Sequence, residues 1–420
     1  MTPFRKYPSA LRQEILEWAA KTGEVDILIG IPTFNNENTI KHVVEMVAEG
    51  LARYFSSHKT AILISDGGSL DDTRENALAA AIPAGINREV TIYRGLPGKG
   101  TSFRAVFELA VRLNAAACAV LDADLRSITP EWVHRLITPV LNREADFVAP
   151  LYQRHKFDGT ITNHIVYPLT RALYGKDIRQ PIGGDFGFSG ELARIYIERD
   201  VWMTDVAKFG IDIWMTTTAL VEKGHIVQAD LGVKNHDPKD PAADLGPMFH
   251  QVVSTLLYMM GKYEARWKAI PCCETVPTFG DSLPEGQVPA VDVSFSKLEE
   301  EFVDGFEHFL PLYEMVTAPA NFSRLRECYQ DAKKGKNWFL NAQQWSRIVY
   351  DFAFTFQGWR RNRRRLVDIL TPLYFGRVGS YCREVDNLST EAAEKVIQKQ
   401  AKIFEKNKSY LIEKYRVWEK

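Results

Sequence analysis

The first 125 residues alternate between short, continuous apolar runs and longer amphipathic stretches. The apolar runs span residues 25–32, 61–66, 90–93 and 117–121, and the amphipathic stretches span residues 39–54, 71–81 and 100–114. A continuous apolar run is typical of a strand that is buried on both faces, and apolar residues at helical spacing indicate a helix packed on one side. The alternation therefore predicts a doubly wound α/β fold with a parallel, Rossmann-like sheet.

The pattern changes twice in the rest of the chain. Strands are predicted at residues 146–151 and 226–233, and helices at residues 162–174 and 212–223. Four prolines then fall between residues 271 and 289 with two glycines among them, which is typical of a linker. We expect four regions: an N-terminal helix within 1–24, an α/β domain over 25–265, a Pro-rich linker over 266–291 and a mostly α-helical domain over 292–420.

The net charge of the chain limits the classes of molecule that it is expected to bind. The 420 residues carry 52 Lys and Arg against 53 Asp and Glu, a formal net charge of -1. That balance argues against a protein that mainly binds nucleic-acid phosphates. A basic run at residues 360–365 is then better explained as a solvated helix face or a subunit contact. The aromatic residues of the C-terminal region predict a core and part of an oligomer interface, in a homodimer or homotetramer.

The cysteines and the hydropathy of the chain indicate in which cellular compartment the protein is expected. The five cysteines are scattered and contain no CxxC pair, so neither a zinc ribbon nor a disulfide framework is indicated. The first residues lack the apolar segment of a signal peptide, and no apolar run reaches the roughly 18 residues that span a bilayer. We expect a soluble, cytoplasmic protein without membrane insertion.

Polar motifs follow the predicted strands. They are PTFNNE at residues 32–37, SDGGSLDDT at 65–73, GKG at 98–100 and DAD at 122–124. Ligands of such sheets gather at the carboxyl ends of the strands. Asp122 and Asp124 suit a hard divalent cation, although Asp also favours plain turns. Lys99, between two glycines at a helix start, suits a phosphate group, although GKG could be only a turn.

The order of these four motifs resembles the nucleotide-sugar half of GT-A glycosyltransferases. QPIGGD at residues 180–185, FGID at 209–212 and His236 after a predicted strand are similar to segments of the retaining enzymes that make glycosylglycerates. These are the mannosylglycerate, glucosylglycerate and glucosyl-3-phosphoglycerate synthases. The resemblance covers roughly residues 25–385. It implies a GT-A fold followed by a helical domain.

The resemblance also implies a donor and metal site. The donor-binding residues would be Pro32, Phe34, Glu37, Asp66, Lys99 and Asp122. Asp124 of the DXD motif and His236 would ligate Mn²⁺ or Mg²⁺, and a carboxylate with an imidazole suits either ion. From its spacing alone, His236 is better explained as a surface-loop histidine.

An acceptor site is implied in the same way. Its residues would be Arg154, Thr162, Ile182, Gly183, Gly184 and Asp212. An arginine is the natural bidentate partner of a carboxylate, and glycines allow close approach of the backbone. Asp122 and Asp212 would be catalytic, with Asp212 positioning substrate and a covalent role for it left open. The acceptor would attack from the leaving-group face.

These roles predict a metal-dependent retaining transferase that moves a hexose from UDP-glucose or GDP-mannose to D-glycerate or a similar hydroxy acid, as in compatible-solute synthesis. One alternative is transfer to 3-phosphoglycerate. Another is an inverting family-2-like transferase acting on a polysaccharide or lipid, but its usual QxxRW motif is absent. A nucleotide-sugar-binding scaffold is disfavoured, because Lys99, Asp122, Asp124 and His236 are all present.

Overall fold

The computed structural model describes residues 7–235, 246–283, 286, 288–360 and 362–418, so His236 lies outside the described residues. The chain divides into two compact units of three segments each. The α/β unit comprises Met1–Gln153, Gln180–Asp237 and Val276–Val288, and the helical unit comprises Arg154–Arg179, Pro238–Thr275 and Pro289–Lys420.

The strands and helices of the described residues are as follows. The strands are β1 (Ile27–Thr33), β2 (Thr60–Asp66), β3 (Ile86–Ile92), β4 (Ala117–Val120), β5 (Phe147–Gln153), β6 (Lys176–Asp177), β7 (Phe186–Ser189), β8 (Ile226–Val233), β9 (Glu274–Thr275) and β10 (Thr278–Phe279). The helices are α1 (Gln13–Thr22), α2 (Ile40–Tyr54), α3 (Thr73–Ala79), α4 (Lys99–Arg112), α5 (Pro130–Leu141), α6 (Tyr167–Tyr174), α7 (Gly190–Ile197), α8 (Ile211–Glu222), α9 (Gly246–Lys262), α10 (Glu264–Ala269), α11 (Phe295–Val316), α12 (Pro319–Lys333), α13 (Ala342–Gly358), α14 (Arg364–Val385) and α15 (Thr390–Trp418).

The α/β unit is built on an eight-stranded sheet with the order β10-β8-β5-β7-β4-β1-β2-β3. The α/β prediction is confirmed, but the sheet is mixed: β7 runs antiparallel to both β4 and β5. The four strands from which a parallel sheet was predicted, β1 to β4, do pair in parallel, and β7 adds an antiparallel strand that was not predicted. Four residues are too few to show a hydrophobic period, and only the pairing with β4 and β5 reveals β7 as a strand.

Helices cover both faces of this sheet. Alternate residues of β1 point to opposite faces, as the pleat of a strand requires. Ile29 and Ile31 join a core cluster with residues of α2 and α5. On the other face Gly30 lies against α4, where a Cβ would come within 2.4 Å of the Val106 side chain. The predicted helix at residues 39–54 is confirmed as α2, whereas α5 and α7 were not predicted.

The helical unit contains more than the C-terminal helices. Helix α6 packs on α15 through the ion pair of Arg171 with Glu405 and the hydrogen bond that the Tyr167 hydroxyl donates to Gln398. These contacts group residues 154–179 with the C-terminal helices, although the sequence placed them in a domain over 25–265. Contacts between residues so far apart along the chain cannot be predicted from the local sequence pattern.

The Pro-rich stretch at 266–291 is more ordered than a linker. It holds the end of α10 and the strands β9 and β10. The backbone N–H of Gln228 in β8 donates to the carbonyl of Pro277 at 2.8 Å, so this stretch extends the edge of the large sheet. This order depends on β8, the neighbouring strand, which supplies hydrogen bonds that proline-rich composition cannot predict.

Among the helices that the model describes, none combines the length and the apolar character that crossing a membrane demands.

Candidate active site

Two loops at the carboxyl ends of β1 and β2 are joined into one platform, which we call the paired loops (residues 33–37 and 66–73). The backbone N–H of Asn35 donates to Ser69 Oγ at 2.9 Å, and that of Asn36 donates to Thr73 Oγ1 at 2.7 Å. Glu37 Oε2 accepts from the N–H of Asp72 at 3.2 Å. These cross-links give the first strand edge a defined shape.

Asp66 contributes to that shape from inside. Its carboxylate is fully buried, and Oδ2 accepts from the backbone N–H groups of Gly68 at 2.8 Å and Ser69 at 2.9 Å. The Ser69 hydroxyl donates to Oδ1. Both oxygens of Asp66 are thus engaged within its own loop.

Phe34 presents an aromatic ring at the same edge. Its side chain is 57% exposed and packs over Gly67, where a Cβ would lie 3.1 Å from the ring. Pro32, the neighbour of Ser65 in the sheet, is the residue before the last one of β1. The platform therefore has an exposed aromatic ring, that of Phe34, next to the backbone of a glycine, Gly67.

Asp122, two residues beyond the end of β4, lies between two ammonium groups. Lys99 Nζ is 2.8 Å from Asp122 Oδ1, and Lys234 Nζ is 3.1 Å from Oδ2. Burial alone would raise the pKa of Asp122, but the two positive charges outweigh burial and lower it. Asp122 is therefore a carboxylate held ionised in a poorly hydrated place.

Lys99 is the more accessible of the two lysines, with 16% of its side chain exposed. Its Nζ also lies 3.4 Å from Asp212 Oδ2. Burial would lower the pKa of Lys99, but the charges of Asp122 and Asp212 outweigh it and raise the pKa. Because Lys99 is the first residue of α4, its charge adds to the positive end of the helix dipole.

Asp212, in the first turn of α8, faces the other side of Lys99. The side chain is buried, and Oδ1 has no hydrogen-bond partner among the described residues. Burial raises the pKa of Asp212 despite the neighbouring lysine. The unpartnered oxygen can accept a hydrogen bond from a bound molecule.

The segment Gln180–Asp185 turns directly against Asp122. Gly184 has φ +90°, and a Cβ there would lie 2.1 Å from Asp122 Oδ2. A Cβ on Gly183 would lie 2.2 Å from the Pro150 ring. The structure therefore places Gly184 against Asp122, which also contacts Lys99, and Ile182 and Gly183 precede Gly184 in the same turn. We call residues 182–185 the glycine turn.

Three residues of this site were not predicted to have a role there: Tyr152, Asp185 and Lys234. Lys234 is the first residue after β8, so its position at a strand end was a usable signal. Asp185 is fully buried and accepts from Lys234, from the Tyr152 hydroxyl and from the N–H of Asp122. Burial raises the pKa of Asp185 even though Lys234 opposes the rise.

The predicted metal ligands cannot be described as a pair, since His236 is outside the described residues. Asp124 is half-buried, two residues beyond Asp122, and no hydrogen bond or ion pair to another described residue engages its carboxylate. No group of three or more His, Cys, Asp or Glu side chains within the described ranges could hold a metal ion. A carboxylate left unengaged at a strand end fits a cation whose other ligands come from elsewhere.

Arg154 and Thr162, the remaining predicted acceptor residues, belong to the helical unit. Arg154 Nη1 lies 3.7 Å from Asp158 Oδ2. Thr162 is buried and opens a π-helical turn, Thr162–Val166. Single π-helical turns occur frequently at functional sites.

Comparisons with known proteins bear on the α/β unit. Residues 28–194 match the model of Glycosyl transferase family 2. No match was found among curated protein sequences.

One similar solved structure is glucosyl-3-phosphoglycerate synthase from Mycobacterium tuberculosis in complex with Mn²⁺, UDP and glucosyl-3-phosphoglycerate. It matches at 24% identity over 61% of this chain and 86% of that chain, with a TM-score of 0.45. In complex with Mn²⁺, UDP-glucose and phosphoglyceric acid, the enzyme matches at 22% identity over 68% of this chain and 95% of that chain, also with a TM-score of 0.45.

The family match includes the paired loops, Lys99, Asp122, Asp124 and the glycine turn. The part of the chain that is similar to Glycosyl transferase family 2 thus contains most of this site, and the protein is a glycosyltransferase with a GT-A-like fold.

Proposed function

We propose that the protein transfers a hexose, with retention of configuration, from a nucleotide sugar to D-glycerate or a related small hydroxy acid. One observation carries this proposal. The glycine turn packs directly on Asp122, and Asp122 lies between Lys99 and Lys234. An acceptor bound at the turn would therefore lie beside a nucleotide sugar that reaches Asp122.

The donor would lie along the carboxyl ends of β1, β2 and β4. The exposed ring of Phe34 offers a stacking surface for the base. Glu37 and Asp66 would act through the shape of the paired loops, which form the rest of this surface. Lys99 would contact the diphosphate, because it is the accessible cation and stands at a helix N-terminus.

Charge stabilisation is the main chemical task. Breaking the bond to the sugar leaves negative charge on the diphosphate, and a cation placed there in advance stabilises the transition state. Asp124, together with His236, would hold a Mg²⁺ or Mn²⁺ ion, which supplies Lewis-acid stabilisation of the same oxygens. Lys99 would supply the protein's own positive charge.

The acceptor would bind at the glycine turn, with backbone N–H groups available to its carboxylate. Arg154 and Thr162 remain proposed acceptor contacts on the chemistry of guanidinium and hydroxyl groups. Asp212 would accept a hydrogen bond from a substrate hydroxyl through its unpartnered Oδ1. Its role is to position substrate, and the acceptor's proton would pass to the diphosphate oxygen.

Asp185 argues against an inverting reaction. An inverting transferase would need a carboxylate near the glycine turn as a base that reaches the acceptor hydroxyl. Asp185 is fully buried, and its oxygens are engaged by Lys234, Tyr152 and the N–H of Asp122. A carboxylate held in this way is poorly placed to take a proton from substrate.

The test is a matrix of donors and acceptors with Mg²⁺ or Mn²⁺. UDP-glucose and GDP-mannose would each be paired with D-glycerate and 3-phosphoglycerate, and released nucleotide and the anomeric configuration of the product would be measured by NMR. We expect an α-linked product with one donor and glycerate, and loss of turnover in EDTA. A β-linked product, or donor hydrolysis without transfer to either acid, would overturn the proposal.

A further inference from the structure

Lys234 makes more contacts than a phosphate-binding lysine needs. Its Nζ donates to Asp122 Oδ2 at 3.1 Å, to Asp185 Oδ2 at 2.8 Å and to the carbonyl of Gly183 at 2.8 Å. An ammonium group has three N–H donors, and these bonds are three in number. The side chain is only 3% exposed and lies over the Tyr152 ring.

The contacts of Lys234 close a ring with Asp122 and Asp185. Asp185 Oδ1 accepts from the backbone N–H of Asp122 at 2.8 Å, while Lys234 bridges the side chains of both residues. Asp122 is therefore held by its backbone and by its carboxylate. Buried, charge-assisted bonds of this kind are short and strong, so the ring restricts the rotation of the Asp122 carboxylate.

The bond to Gly183 orients the glycine turn. No cis peptide bond occurs in the described residues, and in a planar trans peptide the C=O and the next N–H point in opposite directions. Since the carbonyl of Gly183 points at Lys234, the N–H of Gly184 points away from it. The lysine thereby sets the direction of the donor that the turn offers to a bound acid.

Lys99 and Lys234 thus have different roles at Asp122. Lys99 has 16% of its side chain exposed and two carboxylate neighbours, at 2.8 and 3.4 Å from its Nζ, so it can turn toward a bound phosphate. Lys234 can reach a phosphate only by giving up its bonds to Asp122, Asp185 and the carbonyl of Gly183.

We propose that Lys234 is a positioning residue that fixes the glycine turn relative to Asp122, and so sets the distance between the acid and the donor sugar. This inference rests on the proposed sugar transfer to an acid. A misplacement of about 1 Å can cost on the order of 100-fold in rate.

The experiment compares K234M with K99M in the full-length protein. For K234M we expect kcat to fall by about 100-fold and KM for the acid to rise, while Kd for UDP with Mg²⁺ stays within about threefold of wild type. For K99M we expect Kd for UDP to rise by about tenfold or more, because a diphosphate contact is lost. K223M, which removes a lysine paired with Glu191 at the surface of the same unit, is the matched control and should behave as wild type.

Folding is controlled with a double variant. K234M alone leaves Asp122 and Asp185 without a shared cation and will lower the thermal midpoint. K234M/D185N removes one of those charges, so we expect the midpoint to recover while kcat stays low. Recovery of wild-type kcat in the double variant would show that Lys234 only neutralises Asp185, and would overturn the positioning role.

Two further outcomes would also reject it. If K234M weakens UDP binding as much as K99M does, Lys234 is a diphosphate ligand. If wild type and K234M transfer sugar equally well, no positioning role exists. If wild type transfers sugar to neither acid, the proposed function itself fails, and this outcome is distinct because it appears before any variant is compared.

Discussion

Asp66 ends β2 and Asp122 lies just beyond β4, the two strands that flank β1, yet their carboxylates have different roles. Asp66 accepts hydrogen bonds from backbone N–H groups and a hydroxyl of its own loop, and the guanidinium of Arg74 lies farther away, with Nε 3.9 Å from Oδ2. Asp122 is surrounded by the ammonium groups of Lys99 and Lys234, which come from distant parts of the chain. A carboxylate at a strand end therefore does not define a role. The role depends on the groups around the carboxylate. The donors that bond Asp66 come mainly from its own loop and stabilise the shape of that loop. The two lysines at Asp122 come from distant parts of the chain and create a charged site.

Removing the charge of Asp122 should have the largest effect. D122N keeps the shape of the side chain but leaves two lysines facing an amide, one of them nearly fully buried. We expect kcat/KM for sugar transfer to fall by about 1,000-fold or more, as for loss of a central electrostatic group. Steady-state kinetics with the donor and acid identified in the matrix would measure it, and a loss below tenfold would remove Asp122 from the site.

A methyl group at Gly184 should come next. G184A places a Cβ 2.1 Å from Asp122 Oδ2 in a residue with φ +90°, so either the turn or the carboxylate must move. We expect about 100-fold lower kcat. G68A is the matched control, because Gly68 also has positive φ, but a Cβ there meets nothing within 4 Å. Equal losses in both variants would point to backbone strain rather than displacement of Asp122.

The loop carboxylate should matter more for stability than for turnover. D66N replaces an acceptor of three hydrogen bonds with a side chain that can satisfy fewer of them, and buried donors without partners cost about 1–3 kcal/mol. We expect the free energy of unfolding in urea to fall by about that amount and kcat to change by less than tenfold. A rise in KM for the donor without loss of stability would assign Asp66 to direct contact with the nucleoside instead.

The smallest effect concerns the pH dependence of stability. Burial raises the pKa of Asp212 in the folded protein, so the folded state binds this proton more tightly than the unfolded state. Asp212 therefore destabilises the fold as pH rises from the unfolded pKa through the folded one. D212N should be more stable than wild type at pH 7, and the difference should shrink toward pH 4. Urea unfolding at several pH values measures this, and a difference that grows on acidification would contradict the raised pKa.

Local pattern was sufficient for much of the α/β unit. The strands β1, β2 and β4 and the helices α2 and α4 are predicted by periodicity because each buries a continuous apolar face. The same positions place Lys99, Asp122 and Asp124 at one sheet edge. Short or cross-linked elements were less visible: β7 is too brief to show a period, and β10 depends on β8 for its hydrogen bonds.

The sequence by itself determined which chemical groups follow each strand, because strand ends and helix starts are written in local composition. Only the tertiary structure decided which of those groups meet. Lys99, Gly184 and Lys234 are far apart along the chain, and the sheet order brings them to the two oxygens of Asp122. The separate work of Lys99 and Lys234 is decided there too, since burial and three-dimensional neighbours, not residue type, determine what an ammonium group can do.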